Sequence, residues 1–258
     1  MKQFKNVYEL DNGYTKIFVI KDSKNILVDT GSRPLPDDLL DFMVQAGFVF
    51  DDKELRKELN RGSFPAIMDL LEKEQIKIDL IVCTHWHGDH AGNLKRLKEE
   101  LNVPAAMHPA DILFVDGTKK VPIPDRIPEG IRKYLHMDSC NVDICLNDKE
   151  YISDNVQVIH VEGHTRGSIC LLAGSGCLIS GDCLIGRNEM NPQMGLDELN
   201  PPVEMFCTDY PMALKNLSKL LAYDFKTILT GHGDSIADNG KEKLEELLQK
   251  IDQKINLS

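Results

Sequence analysis

The segment Thr84-His85-Trp86-His87-Gly88-Asp89-His90 directly follows the apolar run Leu80-Ile81-Val82-Cys83. It places three imidazoles and one carboxylate within six positions, at the carboxyl end of a predicted strand. Histidine and aspartate are seldom buried without a partner, so packing alone does not explain this density, and a solvated polar loop is the weaker alternative. If the chain stays extended at His85 and His87, strand alternation puts both rings on one side. The remaining carboxylate and imidazole then follow in the turn.

Three further polar residues also follow predicted strands, and each directly succeeds a glycine. They are His164, Asp182 and His232. Glycine permits tight turns and close approach of the backbone, and loops at strand ends are where binding sites are commonly built. With the first segment they make five histidines and two carboxylates. This set suits two divalent cations and needs no cysteine.

Short apolar runs rich in β-branched residues alternate with amphipathic helical patterns, which predicts sheets with helices packed outside them. Strands are expected at Tyr14–Ile20, Asn25–Asp29, Leu80–Thr84, Val156–Val161, Ser168–Ala173, Gly176–Ser180 and Lys226–Leu229. Turn-forming residues separate the first two runs, and also 168–173 from 176–180, so both pairs are predicted to be hairpins. Leucine spacing predicts helices over 94–101, 212–221 and 244–255.

The stretch from Arg33 to Gln75 is acidic and helical in pattern. It holds ten Asp or Glu and six Lys or Arg, a net charge of 6 − 10 = −4. Helices are expected at Asp37–Ala46, Lys53–Asn60 and Pro65–Glu74, with Ser63 capping the third and Pro65 in its first turn. Four of the nine phenylalanines lie here, and they either wall a substrate pocket or, as we favour, pack the segment onto the sheet or form a dimer contact. These are Phe42, Phe48, Phe50 and Phe64.

The motif HxHxDH, followed by GHTxGS, a Gly-Asp pair and a final Gly-His, resembles the metallo-β-lactamase-fold hydrolase superfamily. The resemblance runs from Asn25 to about Asp234 and implies an α/β fold, a four-layer αβ/βα sandwich. We expect one domain over residues 1–258, with an acidic helical insert at about 33–75. The resemblance also implies a ligand set for two metal ions. His85, His87 and His164 hold the first ion, Asp89, His90 and His232 hold the second, and Asp182 bridges them.

Asp29 matches a further motif of that family in Val28-Asp29-Thr30-Gly31. A metal-bound histidine usually donates its other N–H group to a carboxylate or carbonyl oxygen. We therefore expect Asp29 to orient a ligand histidine, the alternative being an ordinary aspartate in a turn at a strand end.

The expected function is that of a dinuclear metal-dependent hydrolase. A hydroxide shared by the two ions would attack a small ester, thioester, lactone or phosphoester, and Asp89 is the expected catalytic residue because it would orient that hydroxide. Zinc is the expected ion, and iron or manganese suits the same ligands. Two alternatives are a mononuclear non-haem iron oxidoreductase resembling persulfide dioxygenases and a noncatalytic metal-binding protein.

Charge and composition limit the expected partners. The 258 residues include 30 basic and 41 acidic side chains, a net charge of −11. That charge repels a phosphate backbone, so a small-molecule substrate is expected rather than nucleic acid. Neither a membrane span nor a secretory signal is found in the sequence, and the seven cysteines are scattered, which predicts a cytoplasmic protein with free thiols and no membrane partner. A homo-oligomer is compatible with these features.

Overall fold

The structure is a computed structural model that describes residues 1–47, 49–122, 129–132, 138–189 and 192–255. The strands are β1 (Lys2–Phe4), β2 (Val7–Asp11), β3 (Lys16–Ile20), β4 (Ile26–Val28), β5 (Leu80–Val82), β6 (Ala105–Met107), β7 (Ile144–Cys145), β8 (Tyr151–Ser153), β9 (Val156–His160), β10 (Ile169–Ala173), β11 (Cys177–Gly181), β12 (Ile185–Gly186), β13 (Leu199–Asn200) and β14 (Thr227–Thr230). The α-helices are α1 (Asp37–Gln45), α2 (Lys53–Arg61), α3 (Ser63–Lys73), α4 (Gly88–Ala91), α5 (Leu94–Leu101), α6 (Pro109–Val115), α7 (Glu129–Arg132), α8 (Tyr210–Leu217) and α9 (Gly240–Ile255). Short 3₁₀ segments cover Pro192–Met194, Glu204–Phe206 and Ser218–Ala222.

Two main sheets carry the fold. The first has seven strands in the order β1 to β7, antiparallel from β1 to β4 and parallel from β4 to β7. The second has the order β14-β11-β10-β9-β8, and β14 is parallel to β11 while the other pairs are antiparallel. Both predicted hairpins, β3–β4 and β10–β11, are confirmed. All seven predicted strands are present, some of them shorter than expected.

Three apolar cores lie between four layers. Alternate residues of each strand face opposite sides of a sheet, so Phe18 faces the second sheet while Ile17 faces the outer helices. Ile67 of α3 and Leu97 of α5 pack in the outer core of the first sheet. Leu244 of α9 packs in the outer core of the second sheet. The order helix, sheet, sheet, helix confirms the expected four-layer sandwich.

The three helices expected within 33–75 are present, and their apolar faces form a small core of their own that includes Leu40 and Leu59. The prediction for Ser63 is wrong. Gly62 occupies the N-cap position of α3, and the Ser63 hydroxyl instead accepts hydrogen bonds from the Ser32 N–H (3.1 Å) and the Asn12 side chain (2.9 Å). Pro65 lies in the first turn, as expected.

The phenylalanines of this segment differ in their surroundings. Phe42 packs against the core of the segment, and Phe64 packs against the outer core of the first sheet with Arg96 over its ring. Phe50 is 49% exposed, and Phe48 lies outside the described residues. For Phe42 and Phe64 the packing interpretation therefore holds.

All seven cysteines are free thiols, as predicted. None of the described helices combines the length and the apolar character that crossing a bilayer requires.

Candidate metal centre

The structure brings all seven predicted ligand residues together at the edge where β5, β9, β11 and β14 end. They form two neighbouring groups, and within each group the candidate ligand atoms lie within 4.8 Å of one another. The first group comprises His85, His87, His164 and Asp182, and the second comprises Asp89, His90 and His232.

The histidines of the first group form a tight triangle of ring nitrogens. Nδ1 of His87 lies 3.0 Å from Nε2 of His85 and 3.0 Å from Nε2 of His164, and the last two atoms are 3.3 Å apart. A neutral imidazole nitrogen either donates or accepts, so no choice of tautomers makes all three contacts hydrogen bonds. A tetrahedral cation with metal–nitrogen bonds of about 2.0–2.1 Å separates its ligands by about 3.3 Å. The triangle therefore fits a bound cation.

The second group has similar spacing. Nε2 of His232 lies 3.3 Å from Nε2 of His90 and 3.2 Å from Oδ2 of Asp89. The same carboxylate oxygen of Asp89 is 3.9 Å from Nε2 of His90. Two imidazoles and one carboxylate facing a common point are ligands that zinc, iron and manganese accept.

Asp182 lies between the two groups. Its Oδ1 is 3.1 Å from Nε2 of His90, and its Oδ2 is 3.4 Å from Nε2 of His232 and 3.5 Å from Nε2 of His164. Oδ1 is buried, with the His90 ring as a neighbour. The carboxylate therefore faces imidazole nitrogens of both groups, so a cation in either group could bind it. The position is the one expected of a bridging ligand.

The backbone conformation that brings the rings of His85 and His87 together differs from the expected extended strand. Strand β5 ends at Val82 and the chain bends through residues 84–86, so strand alternation does not align His85 and His87. The bends bring the two rings together instead, and the next two ligands lie in the short helix α4. Before His232, a Cβ on Gly231 would lie 2.7 Å from Oδ1 of Asp182. Glycine is therefore required at that close approach.

A second set of contacts orients the rings. Oδ2 of Asp29 lies 2.8 Å from Nδ1 of His90, and Asp29 accepts hydrogen bonds from the Thr84 N–H (2.7 Å) and the Thr84 hydroxyl. That hydroxyl is 3.0 Å from Nδ1 of His85. Asp29 is fully buried with φ +62°, a conformation that aspartate tolerates better than most residues. It therefore contacts a candidate ligand histidine directly, as expected.

Sequence reasoning missed two of the supporting contacts. Nδ1 of His232 lies 2.6 Å from the carbonyl oxygen of Tyr14. Because this is a backbone group, the residue type at position 14 does not indicate the contact. Asp111 is fully buried on α6 and accepts hydrogen bonds from the loops that carry His87 and His164. The sequence indicated this role only by placing a charged residue, Asp111, in the otherwise apolar helix Pro109–Val115.

Burial and charge set the two groups apart. Burial lowers the pKa of His85 well below its usual value, that of His87 to about 4 and that of His164 to about 3. Burial also opposes charge on His90 and His232, but nearby carboxylates, Asp182 first, outweigh it and raise the pKa of His90 well above 6.5 and that of His232 to about 10. Without a cation, the histidines of the first group are therefore neutral, whereas the second group holds imidazolium ions beside carboxylates.

Comparison with known proteins agrees with this geometry. The family model described as the metallo-β-lactamase superfamily matches residues 10–232. The chain belongs to the metallo-β-lactamase superfamily. The matched region begins in β2 and ends on His232, so it includes every residue of the two groups.

Relatives within the metallo-β-lactamase superfamily extend the comparison. The chain is 26% identical over 234 residues to the beta-lactamase-like protein 2 homolog of Drosophila melanogaster, covering 91% of this chain but 60% of that relative's length. It is 26% identical over 193 residues to a probable metallo-hydrolase of Bacillus subtilis, covering 69% of this chain and 73% of that protein. The solved structure of TTHA1623 in a di-iron-bound form has a TM-score of 0.59 at 20% identity, covering 92% of this chain and 96% of that one. That likeness establishes the shared fold.

Proposed function

We propose that this chain is a hydrolase that uses two divalent cations to cleave a small ester, thioester, lactone or phosphoester. The observation that carries the proposal is the position of Asp182 between two complete groups of ligand atoms, with carboxylate oxygens 3.1 Å from Nε2 of His90, 3.4 Å from Nε2 of His232 and 3.5 Å from Nε2 of His164. A relative named as a probable metallo-hydrolase supports the same reaction class. The full second group is why we favour two cations over the single iron of a persulfide dioxygenase-like enzyme.

Bound cations would lower the pKa of a water molecule toward neutrality and polarise the substrate oxygen under attack. His85, His87 and His164 would hold the first cation, His90, His232 and Asp89 the second, and Asp182 both. Zinc suits these nitrogen and oxygen ligands, and iron is the alternative that the di-iron-bound neighbour supports.

The chain's own residues would position the reacting groups. The Asp89 side chain is 24% exposed while His90 and His232 are buried, so its carboxylate can meet both solvent and the site. In the proposed reaction the Asp89 carboxylate accepts a hydrogen bond from the attacking water and so orients a lone pair of the water oxygen toward the substrate. Asp29 and the Tyr14 carbonyl keep the rings of His90 and His232 turned toward the common centre.

A hydrolysis panel tests the proposal. The chain, purified without added metal, is assayed against thioester, lactone, carboxylic ester and phosphodiester substrates before chelation, after chelation and after zinc, iron or manganese is restored. We expect hydrolysis of at least one class that is lost on chelation and regained with a cation. Oxygen uptake that depends on a persulfide substrate, without hydrolysis, would overturn the proposal and favour the oxidoreductase alternative.

A further inference from the structure

We infer that Asp111 is a positioning residue for the first cation group: its carboxylate clamps the loop bearing His85 and His87 to the loop bearing His164. The inference rests on the proposed function, since it assigns a role within that site. Asp111 is fully buried on α6 and is not a ligand candidate itself.

Three hydrogen bonds converge on the Asp111 carboxylate. Oδ2 accepts from the Trp86 N–H at 3.1 Å and from the Thr165 hydroxyl at 2.6 Å, and Oδ1 accepts from the Gly167 N–H at 2.8 Å. Trp86 lies between His85 and His87, and Thr165 directly follows His164. Each donor is therefore within three residues of a candidate ligand, and none is a ligand.

The clamp joins the two sheets at the metal edge. Trp86 follows β5 of the first sheet, whereas Thr165 and Gly167 lie between β9 and β10 of the second. The first group draws two histidines from one sheet and one from the other, so its triangle depends on how the two loops are held together. A buried carboxylate that accepts from both loops helps to set that separation, together with the Ile169 N–H group, which donates to the Thr84 carbonyl oxygen at 3.0 Å.

The site around Asp111 has no spare room. A Cβ on Gly167 would lie 2.6 Å from Cγ of Asp111, so any larger residue there would displace the carboxylate. Glycine at position 167 is therefore required for that loop to approach the Asp111 carboxylate.

The second group is joined across the sheets by other contacts. The Gly231 carbonyl oxygen accepts from the Lys16 N–H at 2.8 Å, and Nδ1 of His232 faces the Tyr14 carbonyl oxygen. None of these atoms contacts Asp111. A defect at Asp111 should therefore weaken the first group and spare the second.

The test is an Asp111→Asn variant. Asparagine keeps one acceptor oxygen but replaces the other with an amide NH₂ group, which is a donor. Because the three partners of Asp111 are also donors, at least one of the three hydrogen bonds is lost. Loss of such a supporting contact typically lowers metal affinity about 10- to 100-fold. Zinc affinity is measured by competition with a chelator, and occupancy of each group is read from anomalous scattering of crystals grown in limiting zinc. A second variant, Gly167→Ala, displaces the same carboxylate from the opposite side.

A matched control is available at the opposite edge. Asp22 also accepts three hydrogen bonds across the two sheets, from the Ser153 hydroxyl (2.6 Å), the Asn155 N–H (2.8 Å) and the Asn155 side chain (2.9 Å). Asp22→Asn therefore removes a similar cross-sheet contact far from the ligands. Thermal unfolding of all variants in chelator separates loss of stability from loss of metal.

The outcomes distinguish the inference from the proposed function. We expect the wild-type chain and Asp22→Asn to bind two zinc ions, and Asp111→Asn and Gly167→Ala to lose occupancy of the first group while the second stays as in wild type. Equal occupancy of the first group in all four proteins would overturn the role of Asp111. Equal loss at both groups would also overturn it, because the effect would then be general destabilisation. A wild-type chain that binds no zinc, iron or manganese would instead count against the proposed function.

Discussion

The carboxylate of Asp29 and the ring of His90 are paired beneath the two ligand groups, with Oδ2 2.8 Å from Nδ1 and neither side chain exposed. Because Nε2 of His90 faces Asp182, the pairing fixes which nitrogen is free to bind a cation. A residue at the end of β4 thus determines the orientation of a ring contributed by α4.

Replacing Asp29 should weaken cation binding. Asp29→Asn retains a residue type that tolerates positive φ but removes the charge that orients His90, so we expect about 10- to 100-fold lower affinity for the second ion. Chelator competition on the metal-free protein measures this. Asp143→Asn is the control, since Asp143 accepts from the Ala105 N–H at 2.8 Å on the same sheet away from the ligands. Similar affinities in the two variants would contradict the assignment.

The two groups should differ in the protons they release. Ligand imidazoles must be neutral, and the pKa of His87 lies at about 4 and that of His164 at about 3, so at pH 7 the first group has no proton to lose. The pKa of His232 is raised to about 10 and that of His90 is raised well above 6.5, so both carry protons that the second cation must displace. Affinity for the second cation should therefore increase as pH rises above 7.

Calorimetric titration in buffers of different ionisation enthalpy counts those protons. We expect more protons released in the second binding step than in the first. Equal release in the two steps would show that the carboxylates around His90 and His232 do not hold them in the charged form.

The helical segment at 33–75 should contribute stability through its own core. Leu59 is 1% exposed in that core, and Leu59→Ala should cost about 2–5 kcal/mol of unfolding free energy. Phe50 is 49% exposed, and Phe50→Ala should change it by less than about 0.5 kcal/mol. Urea unfolding with metal content held constant measures both. A change in substrate preference in Phe50→Ala would instead support the pocket interpretation of this phenylalanine.

The ligands could be predicted because a short motif places them at strand ends. His85, His87, Asp89 and His90 lie within six residues, and each of the three remaining candidate ligands follows a strand that its apolar pattern identifies. The backbone conformation around His85 and His87 was less predictable. The chain bends after Val82, whereas the prediction from strand alternation required it to stay extended. The two groups still form, because their side chains converge from both sheets.

Other features depend on contacts that no local pattern encodes. Strand β6 is Ala-Ala-Met, a sequence with little β preference that becomes a strand because β5 lies beside it. Ser63 fails as a cap because Gly62, at φ +72°, takes that position and Ser32 and Asn12 engage the hydroxyl. Asp111 acquires two of its three partners, Thr165 and Gly167, only when the two sheets meet. The single domain over residues 1–258 and the small ester, thioester, lactone or phosphoester substrate stay predictions.

The number of cations bound per chain tests the central claim most directly. Elemental analysis of the wild-type chain should give two divalent ions per chain, and one or fewer in His87→Ala and in His232→Ala. His160→Gln changes a histidine outside both groups and should retain two ions. One ion per wild-type chain, unchanged by His232→Ala, would contradict the dinuclear site.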